Sequence, residues 1–290
     1  MTLSQPLPRI LAAAGLAAFV AMNFAQAQPA KKEAANPPAK AATQEFEPQS
    51  GQPGKDVVWV PTPQALVDKM MEMARVTKDD FLIDLGSGDG RTVITAAKRG
   101  VKAKGIEYNP DMVALSKKNA EKEGVANQVE FVRGDIFESN FSDATVVTLF
   151  LLPSLNQRLR PILLDMKPGT RVVSNTFDMG DWPADETARA GGDCTSYCTA
   201  HFWIVPAKVN GNWKSPQGEL QFEQRYQKLS GSLKGEGGVS SLVNGTMIGD
   251  QIVFTAGRSQ VTARVNGDKI EGTAKIDGTD SKWEATRAAK

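Results

Sequence analysis

The chain has 290 residues, 41% of them hydrophobic, which suffices for one large or two ordinary folded domains and is too much for a disordered polymer. Its 34 Lys and Arg nearly cancel its 33 Asp and Glu, for a net charge of +1. It therefore lacks the general basic field that draws nucleic acid or anionic lipid to a surface, and no nucleic-acid partner is expected.

At the N-terminus, Arg9 and the free amine precede the apolar run Ile10 to Met22, and Ala25-Gln26-Ala27 gives the small-x-small pattern that a signal peptidase reads. The run is short for a membrane span and no Cys follows Ala27, so residues 1–27 read as a cleaved signal peptide of a periplasmic or extracellular protein. The alternative is an uncleaved N-terminal anchor, through which alone membrane association is expected. Residues 28–56 are rich in Pro, Ala, Gln, Lys and Glu with little aliphatic bulk, the composition of a flexible tether.

Order is expected from Val57. Thr62 is placed as an N-cap and Pro63 as the first residue of an amphipathic helix, with Leu66, Val67, Met70, Met71 and Ala74 on its inner face. FLIDL (81–85) is a buried strand, followed by a glycine turn and a helix that carries Val93, Ile94 and Ala97 inward and stops at Gly100. AKGIEY (103–108) is a second strand, and a helix from Asn109-Pro110 runs to Gly124. VEFV (129–132) is a third strand, ATVVTLFLL (144–152) a long fourth, LNQRLRPILLDMK (155–167) a helix and TRVVSNTF (170–177) a fifth strand. This alternation predicts a doubly wound α/β fold with a mostly parallel sheet, binding its ligand at the carboxyl ends of the strands. After residue 205 the pattern becomes short alternating strands separated by Asn-Gly and Gly-Asp turns, predicting a small antiparallel barrel or sandwich over 206–290.

Cys194 and Cys198 in DCTSYC either close a small disulfide or stand as two free thiols. With only His201 nearby they make an incomplete metal site, so no metal is expected, and the lone histidine reads as a packed or surface residue.

The glycine turn carries the chemistry. Gly86, Gly88 and Gly90 clear side chains from the strand-to-helix junction, where backbone groups can approach a ligand. Arg91 stands where a dinucleotide fingerprint needs glycine, and no Gly-Lys-Ser/Thr follows to make a P-loop. With Asp84 two residues before the first glycine, the turn resembles those that bind S-adenosylmethionine. Glu107 ends the second strand, placed to accept from ribose hydroxyls. Asp135 closes the third, placed to accept from an adenine amine, with Ile136 and Phe137 as apolar cover for the ring.

These residues resemble class I S-adenosylmethionine-dependent methyltransferases over roughly Val57 to Val205. Within them the chain is most similar to the mitochondrial lysine methyltransferases of the ATP synthase c-subunit and the adenine nucleotide translocase, with their bacterial relatives. The shared elements are Val60 to Thr62, DLGSGDGR with VITAAK, GIEYNP, and Phe177 ahead of DMGDW. The resemblance implies a seven-stranded Rossmann-like sheet with a reversed last hairpin and a methyltransferase domain over 57–205. It further implies a cofactor site of Thr62, Asp84, Gly86, Ser87, Gly88, Gly90, Glu107, Asn109, Asp135 and Ile136, and a protein lysine as acceptor.

The acceptor should lie beyond strands four and five, which offer Leu152, Asn156, Asp178 and Asp181 besides the candidate catalytic residues Pro153, Ser154, Asn175, Phe177 and Trp182. Trp182 or Trp59 could hold a methylammonium product. The Asn/Asp-Pro-Pro-aromatic signature is absent, which argues against glutamine or nucleobase acceptors. The alternatives are a small-molecule or lipid methyltransferase and an exported binding module with a vestigial pocket.

Overall fold

The computed structural model describes residues 46–192 and 194–289. The predicted signal peptide and the tether as far as residue 45 lie outside the described residues.

The apolar spacing at the start of the domain forms α1 (Gln64–Met73), which buries Leu66, Val67, Met70 and Met71. Its start corrects the expected cap: Pro63 stands at the N-cap with extended backbone, and Thr62 caps nothing. Instead Thr62 Oγ1 accepts from Asn175 Nδ2 at 3.2 Å. Alternation follows as expected through β1 (Phe81–Leu85), α2 (Arg91–Lys98), β2 (Lys102–Glu107), α3 (Pro110–Lys122), β3 (Val129–Arg133), β4 (Val146–Leu149), α4 (Pro153–Leu164), β5 (Arg171–Asn175), β6 (Glu186–Arg189) and β7 (Thr199–Ile204). Asn109 caps α3, its Oδ1 accepting from the N–H groups of Asp111 and Met112.

The sheet has seven strands in the order β3-β2-β1-β4-β5-β7-β6. The first five are parallel, and β7 runs antiparallel to both β5 and β6. Successive side chains on a strand face opposite sides, so Leu82, Val146 and Val173 join α1, α2 and α3 in one apolar cluster. Their neighbours Ile83, Val147 and Val172 join α4 in another.

The fourth strand is shorter than its apolar run. Only Val146–Leu149 is strand, and α4 starts at Pro153 rather than Leu155. Proline holds the preceding Leu152 extended and supplies a pre-set first helical residue, which draws the helix start toward it. Phe150 and Leu151 are thereby freed to line a cleft.

The remaining strands are β8 (Gly211–Ser215), β9 (Gly218–Arg225), β10 (Lys228–Gly235), β11 (Gly238–Ile248), β12 (Gln251–Ala256), β13 (Ser259–Asn266), β14 (Lys269–Ile276) and β15 (Thr279–Arg287). They form a closed barrel, not a sandwich, because β15 pairs back onto β8 through Arg287 and Trp213. Trp213, Phe222, Phe254, Ile270 and Trp283 fill its interior. Gln227 of the barrel reaches the sheet region, donating through Nε2 to the Pro183 carbonyl at 2.8 Å.

Candidate active site

A cleft of about 1030 Å³, its open mouth included, lies at the carboxyl ends of β1, β2, β3 and β4. The turn after β1 is held from below: Gly86 and Ser87 donate their N–H groups to the Ile106 carbonyl at 2.9 and 3.1 Å. Gly88, at φ +53°, has the indole of Trp59 against it, and a Cβ there would lie 2.4 Å from Trp59 Nε1. Arg91 fastens the far side, donating to the Thr62 carbonyl at 3.0 Å and pairing with Asp89 at 2.6 Å.

Gly90 serves a different purpose from the one expected. It is the N-cap of α2 at φ +82°, and it is not among the residues lining the cleft. A Cβ on Gly90 would lie 2.7 Å from the Phe131 ring and 2.8 Å from Ser116 Cβ. The absent side chain lets α2 pack onto β3 and α3.

The three expected acids all line the cleft. Asp84 is buried and accepts from Thr148 Oγ1 at 2.7 Å. Burial pushes its carboxyl up to about 7, against the opposing pull of that hydroxyl. Glu107 accepts from the Gly88 N–H on one oxygen and the Asn109 N–H on the other, each at 2.9 Å. Asp135 accepts from the Phe137 N–H at 2.9 Å and is paired with Lys55. The hydrogen bond from Lys55 holds the Asp135 carboxyl below the usual carboxylate range.

Lys55 belongs to the stretch read as tether. In the structure the segment before Val57 doubles back on itself, Gly51 donating to the Trp59 carbonyl at 2.7 Å and Trp59 to the Gln52 carbonyl at 2.9 Å. It walls the cleft with Gln52, Pro53, Gly54 and Lys55, and the Lys55 ammonium lies 5.0 Å from the Tyr108 ring centroid. Hydrophobicity could not reveal this strap, because it is fastened by backbone bonds and one ion pair.

Of the candidate catalytic residues, Asn175 is buried and joins Thr62 to the turn after β5, its Oδ1 accepting from Thr176 Oγ1 at 2.8 Å. The Phe177 carbonyl accepts from Ser174 Oγ at 2.6 Å and Asn156 Nδ2 at 3.0 Å, and its ring stacks 6.2 Å from Phe150. Pro153 and Ser154 are exposed at the start of α4. Trp182 does not reach the cleft. It is fully buried between Trp203 and Tyr226, each ring 6.0 Å away, at the junction of sheet and barrel. The aspartate beside it, Asp181, pairs with Arg160 and Arg225 at the same junction. Trp59 does line the cleft. Phe150 was hidden inside the apolar run of the fourth strand.

Cys194 and Cys198 form a disulfide. His201 is a structural residue, bonded to Thr187 Oγ1 at 3.0 Å and to the Thr176 carbonyl at 3.1 Å.

The family model described as "ANTKMT methyltransferase domain" matches residues 84–186, the stretch holding all three acids. The protein-lysine N-methyltransferase of Saccharolobus islandicus (strain REY15A) is 46% identical over 136 residues, which are 46% of this chain and 84% of that protein. The chain belongs to this methyltransferase family. The adenine nucleotide translocase lysine N-methyltransferase of Mus musculus is 36% identical over 114 residues, 39% of this chain, and the chain spans only 50% of that protein's length. A crystal structure of an RNA methyltransferase from Salinibacter ruber in complex with S-adenosyl-L-homocysteine is similar at 51% identity, covering 52% of this chain and 96% of that one with a TM-score of 0.48. The barrel lies beyond the residues that the family model matches.

The methyltransferase depends on S-adenosylmethionine, and the cleft suits that molecule. Its donor and cationic groups include an ammonium, a sulfonium, two ribose hydroxyls and an adenine amine, and the carboxylates of Asp84, Glu107 and Asp135, which line the cleft, are the groups that would hold them. Gly86 and Gly88 present bare backbone near Asp84, with the Trp59 indole packed against Gly88, and Ile136 is an apolar wall next to Asp135. When bound, the cofactor supplies a methyl group activated by its positive sulfur.

Proposed function

We propose that the enzyme transfers this methyl group to the ε-amine of a lysine in a protein. The reading is supported by the relatives, two of which are named for lysine methylation, and by one feature of the cleft. The wall supplied by β4 and the start of α4, namely Leu149, Phe150, Leu151 and Leu155, carries no ionisable group. A lysine with a reference pKa of about 10.4 must lose its proton to attack, and an apolar wall favours the neutral amine by desolvation. That proton goes to solvent before the attack; as the N–CH3 bond then forms and the S–CH3 bond breaks, the positive charge passes from sulfur to the methylated nitrogen, and the residues' task is alignment and exclusion of water.

The same proposal places the enzyme outside the cytoplasm, in keeping with the N-terminal signal pattern and the Cys194–Cys198 disulfide, since such bonds persist in oxidising compartments. It divides the chain into the methyltransferase domain, 57–205, and the barrel domain, 206–290, with the strap before Val57 adding to the cleft. A labelled-methyl assay on soluble and membrane fractions tests the acceptor. Label that stays with acid-precipitated protein and appears as methyl-lysine after hydrolysis supports the proposal; label that extracts into organic solvent overturns it.

A further inference from the structure

We propose that the loop closed by Cys194–Cys198 is the acceptor-side wall of the active site, and that Tyr197 at its tip forms with Phe150 and Phe177 an aromatic surface for the acceptor's alkylammonium group. The inference rests on the lysine reading above for the identity of that group.

The three rings are contiguous: Phe150 lies 6.2 Å from Phe177 at an interplanar angle of 25°, and 5.2 Å from Tyr197 at 60°. Phe150 also lines the cofactor cleft, so this surface begins where that cleft ends, beyond the carboxyl ends of β4 and β5. Tyr197 is 41% exposed, so little of the core depends on its ring. Yet its backbone is held at φ +53°, a conformation that costs a non-glycine residue free energy and persists only where the surroundings impose it. The disulfide closes the loop on either side of it, and the Ala190 N–H adds a bond to the Cys198 carbonyl at 2.8 Å.

Phe177 is pinned with similar care. Thr176 before it sits at φ +62°, donating its N–H to the Thr199 carbonyl at 2.7 Å and bonded through its own carbonyl to His201. Two residues at positive φ thus fix the placement of two rings against a third, one stacked on it and one tilted to it. Aromatic faces attract ammonium groups, and their apolar surface drives water from an amine. That chemistry suits an alkylamine before transfer and a methylated ammonium after it.

Choline and its neutral isostere 3,3-dimethylbutan-1-ol, titrated into the full chain saturated with S-adenosylhomocysteine, test the proposal. Choline should bind, and the neutral alcohol at least threefold more weakly. Tyr197→Ala should weaken choline by about three- to fivefold and Tyr197→Phe restore it, as expected for a cation over a ring at an exposed site. The double variant Cys194→Ser, Cys198→Ser should match Tyr197→Ala, and combining all three changes should add nothing further. The dissociation constant of S-adenosylhomocysteine should stay within twofold throughout. Choline binding that is absent from the wild type, or unchanged in Tyr197→Ala or the double serine variant, overturns the proposal; so does a parallel loss of S-adenosylhomocysteine. Tyr197-dependent choline binding with no methyl-lysine in the labelled assay would leave the aromatic surface standing while the lysine reading falls.

Discussion

Gly88 donates its N–H to Glu107 Oε2 at 2.9 Å, so the glycine turn after β1 orients the acid that ends β2. With Asn109 donating to Oε1, the carboxylate is fixed by two backbone donors and keeps lone pairs for a ligand. Glu107→Ala should weaken S-adenosylhomocysteine by about 1.5–3 kcal/mol, the usual worth of hydrogen bonds to a charged group, or roughly 10- to 150-fold by calorimetry. Glu107→Gln keeps an acceptor without the charge and should fall between. Unchanged affinity in Glu107→Ala would remove this residue from the cofactor site.

Asp84 makes the free enzyme sensitive to pH. Its carboxyl titrates near 7 in the fold against 3.8 as the reference value, so folding favours the protonated form. The stability this provides is complete below about pH 4 and is lost as pH rises through 7. Asp84→Asn cannot ionise, so its melting temperature relative to the wild type should climb between pH 4 and pH 8. A bound ammonium reverses the preference by favouring the carboxylate. Binding of S-adenosylhomocysteine should therefore release up to about three-quarters of a proton at pH 6.5 in the wild type, and none from this site in Asp84→Asn. Calorimetry in two buffers of different ionisation enthalpy measures that release.

The strap before Val57 rests on Lys55. Lys55→Met removes the donor that holds the Asp135 carboxyl low, so its titration, followed by carbon NMR, should return toward 3.8. The Gly51 and Trp59 amides, whose bonds close the strap on itself, should then exchange with solvent faster than in the wild type. Unchanged exchange would mean that the strap is held by Trp59 against Gly88 and not by the ion pair.

The parts of this molecule that follow local rules could be read from the chain. Leu82 and Ile83 divide between the two faces of β1, Asn109 caps α3, and the acids at Asp84, Glu107 and Asp135 stand at strand ends. What escaped was set by partners distant in sequence. Thr62 has the chemistry of a cap, yet it is drawn to Asn175, and Lys55 has the look of a tether residue until Asp135 is beside it. Trp182 lies close in sequence to Phe177, but the barrel covers it, and nothing in its own neighbourhood announces Tyr226.

Gly90 and Gly100 separate packing from backbone strain. Both sit at positive φ, +82° and +79°, but only Gly90 has atoms within reach of a new Cβ. Gly100→Ala should cost about 1–2 kcal/mol, the penalty of a left-handed alanine. Gly90→Ala adds a collision with Phe131 and Ser116 and should cost at least about 1 kcal/mol more, in the range of overpacked cores. Urea unfolding of the two variants compares them directly; equal losses would mean that α2 shifts without cost.

Trp182 is the last test, because placement and chemistry give opposite answers for it. If it held a methylated product, Trp182→Phe would change turnover and leave stability alone. Its burial between Trp203 and Tyr226 says the reverse. Trp182→Ala should cost about 3–5 kcal/mol, as removal of a buried tryptophan usually does. Trp182→Phe, which keeps an aromatic ring in the stack, should lose less. Both should bind S-adenosylhomocysteine within twofold of the wild type wherever they remain folded, because the residue does not line the cleft. Denaturant unfolding and calorimetry on the same samples separate the two accounts. A Trp182→Phe enzyme of unchanged stability with altered methyl transfer would return Trp182 to the active site.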